Sequence, residues 1–379
     1  MTSVVIAGYA RSPFCFATKG ELAKTRPDEL ASAVIRALVE RTKVNPADIE
    51  DLIVGCSFPE GEQGLNLARL IGFLVPLPLE VAGATVNRLC GSSMQAIHMA
   101  AGAIQMGAGS AFICAGVESM TRVPMLGFNP MPNPALAEKY PQAYLSMGIT
   151  AENVARKYNV SRHEQEVFAV LSQAKAAAAQ NAGNFREEIV PIPTSTGSVE
   201  KDGCIRHGTT IEKLGELPPT FEENGTVTAG TSTPVTDGAA ATLVTSEDYA
   251  RAHGLPILAR IKAIAVSGCA PEIMGIGPIA ATRKALQRAG LIVKELDIIE
   301  LNEAFASPAL ACIRELDFDI AKVNRDGGAI ALGHPLGATG ARLVGKAASL
   351  LKREGKRFAL ATQCIGGGQG IATILENLE

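Results

Sequence analysis

The sequence predicts an α/β protein made of two duplicated βαβαβ-type halves with a loop domain inserted between them. Short, continuous apolar runs have the composition of strands buried inside a parallel sheet, and segments with helical spacing of apolar residues separate them. The tripeptide Val86-Asn87-Arg88 recurs as Val323-Asn324-Arg325, and Ala37-Leu38 recurs as Ala285-Leu286. Because these repeats come in the same order, they predict a pseudo-twofold core whose equivalent ends face each other across a cleft.

The first half is predicted from alternating strand and helix patterns. Leu30, Val34 and Leu38 follow helical spacing, and Pro27 suits the first turn of their helix. The last helix of this half is rich in Ala, Gly and Met, and small residues permit close packing against another backbone. The predicted elements are a strand at 4–7, a helix at 27–42, a strand at 49–55, a helix at 61–73, an extended segment at 84–87, a helix at 92–106 and a strand at 112–116.

The character of the chain changes after this half, because prolines and glycines become dense enough to break up a regular sheet. Helices of its own are predicted there at 150–157 and 162–181. A strand at 238–245 and a helix at 246–252 then return to the pattern of the first half. The predicted division is an N-terminal half formed by 1–118 and 238–256, a loop domain at 119–237 and a C-terminal half at 257–379.

Composition argues against several classes of function. The 379 residues are 47% hydrophobic with a formal net charge of −3, and no basic run with interleaved aromatic residues suggests a nucleic-acid partner. Eight cysteines without a CxxC pair argue against a zinc knuckle and predict free thiols in a reducing compartment. Neither an export signal nor a run of about 18 apolar residues is visible, so a cytoplasmic protein without a membrane span is expected.

Cys90 is the first candidate for chemistry. It stands in the stretch Val86–Gln95, where an extended run gives way to a small-residue helix. A helix N-terminus offers unpaired N–H groups and the positive end of the dipole, which favour a thiolate nucleophile. The alternative is a buried structural cysteine, and the decapeptide alone favours that alternative because free cysteines are commonly buried.

Three further motifs place polar side chains in the C-terminal half. His334, in a rigid turn of glycines and a proline, has the chemistry of a base, or it is packed in a tight loop. Cys364 precedes a run of glycines after a strand predicted at 358–362 and either presents its sulfur to a cleft or belongs to a turn. Asn302 follows a strand at 298–301 and offers an amide there, or it caps a helix.

Four stretches resemble the thiolase family in order and spacing, namely VNRLCGSSMQ, NEAFA, GGAIALGHPLGATGAR and CIGGGQG. The resemblance covers essentially the whole chain, including SMGITAENVA and VTAGTSTPVTDGAA in the loop domain. It implies the thiolase fold, with both halves in a layered α/β/α/β/α arrangement and a loop domain that contacts coenzyme A. It also implies an acyltransferase that uses coenzyme A as a substrate and needs no metal and no permanently bound cofactor.

The resemblance implies a role for each candidate residue. Cys90 attacks the keto carbon of a 3-ketoacyl-CoA, and His334 takes the thiol proton. Cys364 protonates the departing acetyl-CoA carbanion, and in the condensing direction it removes the α-proton of acetyl-CoA. One oxyanion is stabilised by His334 and a water held by Asn302, and the other by the backbone N–H groups of Cys90 and Gly366.

Contacts with the substrate are implied in the same way. Arg206 corresponds to the family's loop on the nucleotide side of coenzyme A, and Thr233 lies nearer the pantetheine arm. Arg206 is otherwise an ordinary solvated charge. Met147 and Phe305 are expected to line the acyl pocket, although a methionine and a phenylalanine are also what any core contains.

Two subgroups of the family match parts of the sequence. Ser146 stands where short-chain acetoacetyl-CoA thiolases typically have a histidine, and NRLCGSSMQ and GGGQGIAT resemble the degradative, fatty-acid-oxidation subgroup of bacteria. Arg206-His207 and Ala338 instead resemble the short-chain biosynthetic subgroup. The preferred interpretation is a degradative 3-ketoacyl-CoA thiolase. The alternatives are an acetoacetyl-CoA thiolase and a thiolase-like protein that binds acyl-CoA or lipid without turnover.

Assembly follows from the resemblance alone. Family members are dimers, or tetramers built on a dimer, so a homodimer or homotetramer is expected. Some degradative bacterial members also join a hydratase/dehydrogenase subunit. The proline-rich segment at 123–141 is a candidate for contacts within a tetramer.

Overall fold

The computed structural model describes residues 2–379 of the chain. Its strands are β1 (Val4–Arg11), β2 (Cys15–Phe16), β3 (Asp51–Gly55), β4 (Ala82–Val86), β5 (Ala111–Ser119), β6 (Ile192–Thr194), β7 (Gly197–Val199), β8 (Thr236–Ser246), β9 (Ala259–Gly268), β10 (Ile298–Leu301), β11 (Phe358–Ile365) and β12 (Gln369–Glu376). Its α-helices are α1 (Pro27–Thr42), α2 (Leu67–Leu74), α3 (Ser92–Gln105), α4 (Pro134–Lys139), α5 (Met147–Lys157), α6 (Arg162–Ala182), α7 (Ile211–Gly215), α8 (Glu247–Ala252), α9 (Gly277–Ala289), α10 (Ala306–Glu315), α11 (Ala329–Leu332) and α12 (Leu336–Glu354).

The duplication is visible in the strand order. One mixed sheet runs β10-β11-β12-β9-β1-β8-β5-β3-β4, with β2 paired to β8. A parallel bridge between Ile299 and Val323 adds a fifth position to the C-terminal half, beside β10. The five strand positions of the N-terminal half are, along the chain, β1, β3, β4, β5 and β8. Those of the C-terminal half are β9, β10, the segment at Val323, β11 and β12. Numbered 1 to 5 in this way, both halves have the order 1-5-4-2-3 across the sheet. The repeat of Val86-Asn87-Arg88 as Val323-Asn324-Arg325 marks the third strand position of each half.

The layers follow from which face each helix covers. Helices α1 and α2 pack on the outer face of the N-terminal half, and α9 and α10 pack on the outer face of the C-terminal half. Helices α3 and α12 share one hydrophobic core with strands of both halves, and α12 is buried along most of its length. The predicted α/β/α/β/α arrangement is therefore confirmed, with α3 and α12 as the central layer.

A glycine on α12 allows the two central helices to approach closely. A Cβ at Gly340 would lie 2.3 Å from the backbone nitrogen of Met94 on α3. No side chain can occupy that space, so the small residues of these helices set the distance between the layers. This spacing also affects the candidate site, because Cys90 lies just before α3 and His334 lies just before α12.

Most predicted elements are present, with local differences. The helix predicted at 61–73 is a 3-10 turn at Gly61–Gln63 followed by α2, because Asn66 caps the later helix by accepting the Arg69 N–H at 3.3 Å. The strand predicted at 358–362 continues to Ile365, so Cys364 lies within β11. Among residues 2–379, no helix combines the length and apolar character needed to cross a bilayer.

Candidate active site

Cys90 lies on a strained turn between β4 and α3. Leu89, directly before it, has φ of +42°, a left-handed conformation that is costly for a branched side chain. Two local contacts hold the turn: the Leu89 N–H donates to Asn87 Oδ1 at 2.8 Å, and the Ser92 hydroxyl donates to the Leu89 carbonyl at 2.6 Å. These contacts fix the turn, and Cys90 lines two cavities from it.

The thiol of Cys90 is protonated at rest. Burial raises the pKa of Cys90 to about 11, although the backbone N–H of Gly366 hydrogen-bonds the sulfur and opposes the rise, and the negative charge of Glu118 adds to it. The expectation that the helix terminus by itself favours the thiolate is wrong, because desolvation is the larger effect. Cys90 therefore needs a base at the moment of reaction.

His334 lines the same cavity as Cys90 and is the candidate for that base. Its Nδ1 lies 2.6 Å from the Thr339 hydroxyl, and this hydroxyl lies 3.2 Å from the Pro335 carbonyl. The tautomer that satisfies both contacts has the proton on Nδ1, which donates to Thr339 while the hydroxyl donates to Pro335. The other ring nitrogen, Nε2, is then left with a lone pair.

His334 is neutral throughout the physiological range. Burial lowers its pKa to about 3, and the positive charge of Arg342 lowers it further. The side chain of Asn302 places Nδ2 3.4 Å from Nε2, so the amide orients the same nitrogen that would accept a proton. The Asn302 Oδ1 atom is buried with no hydrogen-bond partner among residues 2–379. It is therefore available to accept a hydrogen bond from a molecule in the site.

The loop that carries Asn302 is fixed by a buried glutamate. Glu303 accepts hydrogen bonds from the Ser172 hydroxyl at 2.5 Å, the Asn324 amide at 2.7 Å and the Ile330 N–H at 3.2 Å. Ser172 belongs to the inserted region, and the other two donors precede His334 in the chain. Glu303 thus ties the two C-terminal motifs to the loop domain.

Cys364 faces the same site from β11. The strand pairs Cys364 with Gly370 on β12, so the sulfur is held by a regular ladder rather than by a turn. Burial raises the pKa of the Cys364 thiol well above its usual range, and a thiolate at Cys90 raises it further. The protonation state of Cys90 therefore affects how readily the Cys364 thiol ionises.

Two apolar cavities meet at Cys90. The first, of about 240 Å³, is called the catalytic cavity and is lined by a set that includes Cys90, Met147, Thr233, Phe305, His334 and Cys364. The second, of about 400 Å³, is called the loop-side cavity and is lined by a set that includes Phe58, Cys90, Met125, Met131, Tyr144, Leu145, Met147 and Gly366. A substrate whose reacting carbon lies at Cys90 therefore has apolar space on two sides.

The structure brings together nearly every residue that the sequence singled out. Cys90, His334 and Cys364 share the catalytic cavity with Thr233, while Asn302 contacts His334 and Gly366 contacts Cys90. Met147 and Phe305, the two expected acyl-pocket residues, both line the catalytic cavity, and Met147 also lines the loop-side cavity.

Arg206 lies outside both cavities. Its guanidinium stacks over the ring of Phe16, 5.5 Å from the centroid, and its backbone N–H donates to Gln173 Oε1 at 2.8 Å. The side chain is only partly buried. A contact between Arg206 and a nucleotide stays a prediction, since any ligand would have to extend beyond the cavity to reach it.

Sequence reasoning missed three residues that support the site. Thr339 orients His334, the buried Gln363 donates to the carbonyl of Cys90, and Glu118 contacts loops from both halves. The available signal was a polar residue inside or at the end of a buried apolar strand, as with Gln363 in β11 and Glu118 in β5. Burying such a group is costly without partners, so it indicates an ordered hydrogen-bond network.

Comparison with known proteins gives the same family from sequence and structure. The family model of the thiolase N-terminal domain matches residues 4–248, and that of the thiolase C-terminal domain matches residues 255–377. The chain is 46% identical to the 3-ketoacyl-CoA thiolase of Bacillus subtilis (strain 168), over 99% of this chain and 100% of that protein. It is 45% identical to the 3-ketoacyl-CoA thiolase of Vibrio cholerae, with the same shares covered.

A solved structure agrees with these relatives. The crystal structure of human mitochondrial 3-ketoacyl-CoA thiolase superimposes with a TM-score of 0.92 at 39% identity, and covers 99% of each chain. The same human enzyme in complex with CoA gives the same TM-score, over 99% of this chain and 98% of that one.

The duplicated α/β fold, with two thiols and a neutral histidine at one apolar cavity, defines a class of enzyme that transfers acyl groups through a cysteine. The relatives agree with that class. The chain belongs to the thiolase family, as the four sequence motifs predicted, and it is an acyltransferase.

Proposed function

We propose that this protein is a 3-ketoacyl-CoA thiolase that cleaves a range of chain lengths with coenzyme A. The loop-side cavity is the observation that carries the choice of substrate. It offers about 400 Å³ of largely apolar space next to Cys90, beyond what a four-carbon substrate needs. The relatives from Bacillus subtilis and Vibrio cholerae carry the same name, which supports the proposal.

The first half-reaction forms an acyl-enzyme. The Cys90 thiol gives its proton to Nε2 of His334, and the sulfur attacks the 3-keto carbon of the substrate. The bond between carbon 2 and carbon 3 then breaks, and its electron pair stays on carbon 2 of acetyl-CoA. Cys364 protonates this carbanion, which releases acetyl-CoA and leaves the shortened acyl chain as a thioester on Cys90.

The second half-reaction returns every proton. The thiol of a second coenzyme A gives its proton to the Cys364 thiolate and attacks the thioester carbon. The Cys90 thiolate leaves and recovers its proton from His334. Because a thioester is exchanged for a thioester, the intermediate is energetically level with the substrate, which is why a sulfur nucleophile suits this chemistry.

Both tetrahedral stages need donors for a developing negative charge. The N–H of Gly366, which points at the Cys90 sulfur, is placed to serve the oxygen of the acyl group together with the N–H of Cys90. The amide of Asn302 and the ring of His334 are the proposed partners for the thioester oxygen of acetyl-CoA, with a water bound by the Asn302 amide.

A chain-length profile of thiolysis tests the proposal. We expect turnover of acetoacetyl-CoA and of 3-ketoacyl-CoA substrates with eight or more carbons, with acetyl-CoA and a shortened acyl-CoA as products. A strict preference for acetoacetyl-CoA would favour the biosynthetic acetoacetyl-CoA thiolase instead. Turnover of no 3-ketoacyl-CoA, combined with binding of acyl-CoA, would favour the protein that binds without turnover.

We also propose the remaining ligand contacts and the assembly. Thr233, in the catalytic cavity, is placed for the pantetheine arm, and Arg206 for the nucleotide end once the arm leaves the cavity. A homodimer is supported by β4, which forms one edge of the sheet, and by the exposed Leu65 and Leu79 on neighbouring segments. Sedimentation velocity would test the dimer and the larger tetramer.

The cellular setting is also part of the proposal. All eight cysteines are free thiols, and seven of them are buried. This is the pattern of a protein in a reducing compartment, which supports the cytoplasm. A hydratase/dehydrogenase subunit remains a proposed partner, and co-purification of the two activities would test it.

A further inference from the structure

We propose that Glu118 is a positioning residue. It fixes the turn that carries His334, before α12, relative to the turn that carries Cys90, before α3, across the boundary between the two halves. Glu118 lies near the end of β5 and is 1% exposed. It does not line either cavity that meets at Cys90. The effect of Glu118 on thiolysis rests on the proposed function. The contacts of Glu118 within the protein do not depend on any substrate.

The carboxylate accepts five hydrogen bonds, two on Oε2 and three on Oε1. Oε2 accepts the Ser57 N–H and the Gly337 N–H, both at 2.8 Å. Oε1 accepts the Phe58 N–H at 3.1 Å, the Gln63 Nε2–H at 3.0 Å and the Cys56 thiol at 3.6 Å. Four donors come from the N-terminal half, whereas Gly337 comes from the C-terminal half, so one buried carboxylate joins the two.

On the C-terminal side, Glu118 holds the start of α12. Gly337 is in the first turn of that 19-residue helix, where the free N–H groups and the dipole favour a negative partner. The approach is close, since a Cβ at Gly337 would lie 2.8 Å from the Gly55 carbonyl oxygen. The same helical turn contains Thr339, whose hydroxyl orients His334, so a shift of this turn moves the base.

On the N-terminal side, Glu118 holds the turn that supports Cys90. The carbonyl of Ser57 accepts a hydrogen bond from Asn87 Nδ2 at 2.9 Å. Asn87 Oδ1 in turn accepts the N–H of Leu89, the strained residue before Cys90, at 2.8 Å. Glu118 is therefore the shared member of two hydrogen-bond paths, one that ends at the base and one that ends at the nucleophile.

An ionised carboxylate can accept all of these hydrogen bonds, and they oppose the rise in the pKa of Glu118 that burial causes. In Glu118→Gln, one side-chain atom becomes an NH₂ group, which cannot accept a hydrogen bond. Whichever way the amide is oriented, that group faces two N–H donors and loses both contacts. In Glu118→Asp, the charge remains but the side chain is one methylene shorter, so it cannot reach Gly337 and the turn at Ser57 together.

Alkylation of Cys90 by iodoacetamide, followed by mass spectrometry from pH 6 to pH 9, tests the proposal without any acyl-CoA. In the wild type, a well-placed His334 takes the thiol proton during attack, which adds a base-assisted rate to the rate of the free thiolate. Glu118→Gln and Glu118→Asp should lose the assisted part, so they should alkylate at least about tenfold more slowly at pH 6, and the difference should shrink toward pH 9 as free thiolate accumulates.

Gln63→Leu is the matched control. It removes one of the five donors to Glu118, together with the contacts of Gln63 to the Phe58 carbonyl and the Ser119 N–H, but leaves the links to Gly337 and Ser57 in place. We expect it to lower Tm and to keep the wild-type rate of alkylation at pH 6. A wild-type rate at pH 6 in a folded Glu118 variant, or a rate about tenfold slower in Gln63→Leu, would overturn the positioning role. If Glu118→Gln does not fold, Glu118→Asp provides the same comparison.

Thiolysis assays then separate this proposal from the proposed function. Both Glu118 variants should lose at least tenfold in kcat, whereas KM should change less than twofold because no substrate contact is altered. A wild-type protein that cleaves no 3-ketoacyl-CoA would refute the function, yet the alkylation profiles would still decide the role of Glu118.

Discussion

His334 Nδ1 lies 2.6 Å from the hydroxyl of Thr339, five residues later in the chain and in the first turn of α12. The contact fixes both the tautomer and the direction of the imidazole, because the hydroxyl is itself committed to the Pro335 carbonyl. As a result, the lone pair of Nε2 is presented to the catalytic cavity before any substrate binds. The base therefore keeps one orientation in the cavity that it shares with Cys90.

Replacing Thr339 tests that preparation. Thr339→Val keeps the shape of the side chain and removes the hydroxyl, so the imidazole can adopt the wrong tautomer or rotate. We expect kcat for thiolysis to fall on the order of tenfold or more, which corresponds to about 1.4 kcal/mol of transition-state stabilisation. Thr373→Val is the matched control, since Thr373 contacts a different buried histidine, His98, at 2.8 Å. An equal loss of activity in the control would contradict the assignment.

Substitutions of the two cysteines should block different steps of the reaction. Cys90→Ser should give no acyl-enzyme detectable by mass spectrometry, because the hydroxyl is a far weaker nucleophile than the thiol. Cys364→Ala should still form an acyl-enzyme from a simple acyl-CoA, since that exchange creates no carbanion. It should lose cleavage of 3-ketoacyl-CoA and exchange of the acetyl-CoA α-protons with deuterium. Normal labelling of Cys90→Ser would remove Cys90 as the nucleophile.

Gln363 is predicted to hold the Cys90 turn. Its amide donates to the Cys90 carbonyl from within β11, and Gln363→Leu would leave this buried carbonyl without its donor at a cost of about 1–3 kcal/mol. Gln363→Glu should be worse, because a carboxylate oxygen would face the carbonyl oxygen. We expect the rate of Cys90 alkylation to fall in the order wild type, Leu, Glu.

Gln165→Leu controls for the loss of a buried glutamine. Gln165 donates to Thr226 at 2.9 Å in the inserted region, away from both cysteines. It should reduce the free energy of unfolding in urea without slowing the alkylation of Cys90. If Gln363→Leu is destabilised but alkylates at the wild-type rate, the amide supports the fold only.

Filling the loop-side cavity should shorten the accepted acyl chain. Leu145 lines that cavity and Val235 lines the catalytic cavity. Leu145→Trp is expected to retain activity on acetoacetyl-CoA and to lose at least tenfold in kcat/KM on long 3-ketoacyl-CoA substrates. Val235→Trp should impair every chain length alike. Uniform effects of both substitutions would show that the loop-side cavity does not hold the acyl chain.

Stability should fall in acid because two histidines are buried in the neutral form. Burial lowers the pKa of both His98 and His334 to about 3, whereas an unfolded histidine has a pKa near 6.5. The unfolded state therefore binds more protons below pH 6.5, so stability is lost as the pH falls toward 3. Each histidine should account for a loss of about 2 kcal/mol between pH 7 and pH 5.

Urea unfolding at the two pH values measures this loss. His98→Gln should reduce the difference between pH 7 and pH 5 by about 2 kcal/mol, while retaining a hydrogen bond to Thr373. His207→Gln, at an exposed position, is the matched control and should leave the difference unchanged, because it keeps both buried histidines in place. A His98→Gln protein with the full acid sensitivity would contradict the buried, neutral state of His98.

The sequence alone determined the elements and the candidate residues of the site. Helix α1 has the predicted bounds, Pro27–Thr42, because apolar periodicity and an N-terminal proline are local signals. The repeat at Val323 indicated the duplication, and the motifs around Cys90, His334, Asn302 and Cys364 supplied the proposed reacting groups. These signals are carried by neighbouring residues, so they can be seen without a fold.

Only the tertiary structure decided how those groups behave. The pKa of Cys90 rises rather than falls, because desolvation in the closed site exceeds the effect of the helix terminus that the sequence suggested. Glu118 contacts Gly337 across 219 residues, and Gln363 contacts Cys90 across 273. Contacts at such separations leave no local pattern in the sequence, since they depend on the packing of α3 against α12 between the two halves.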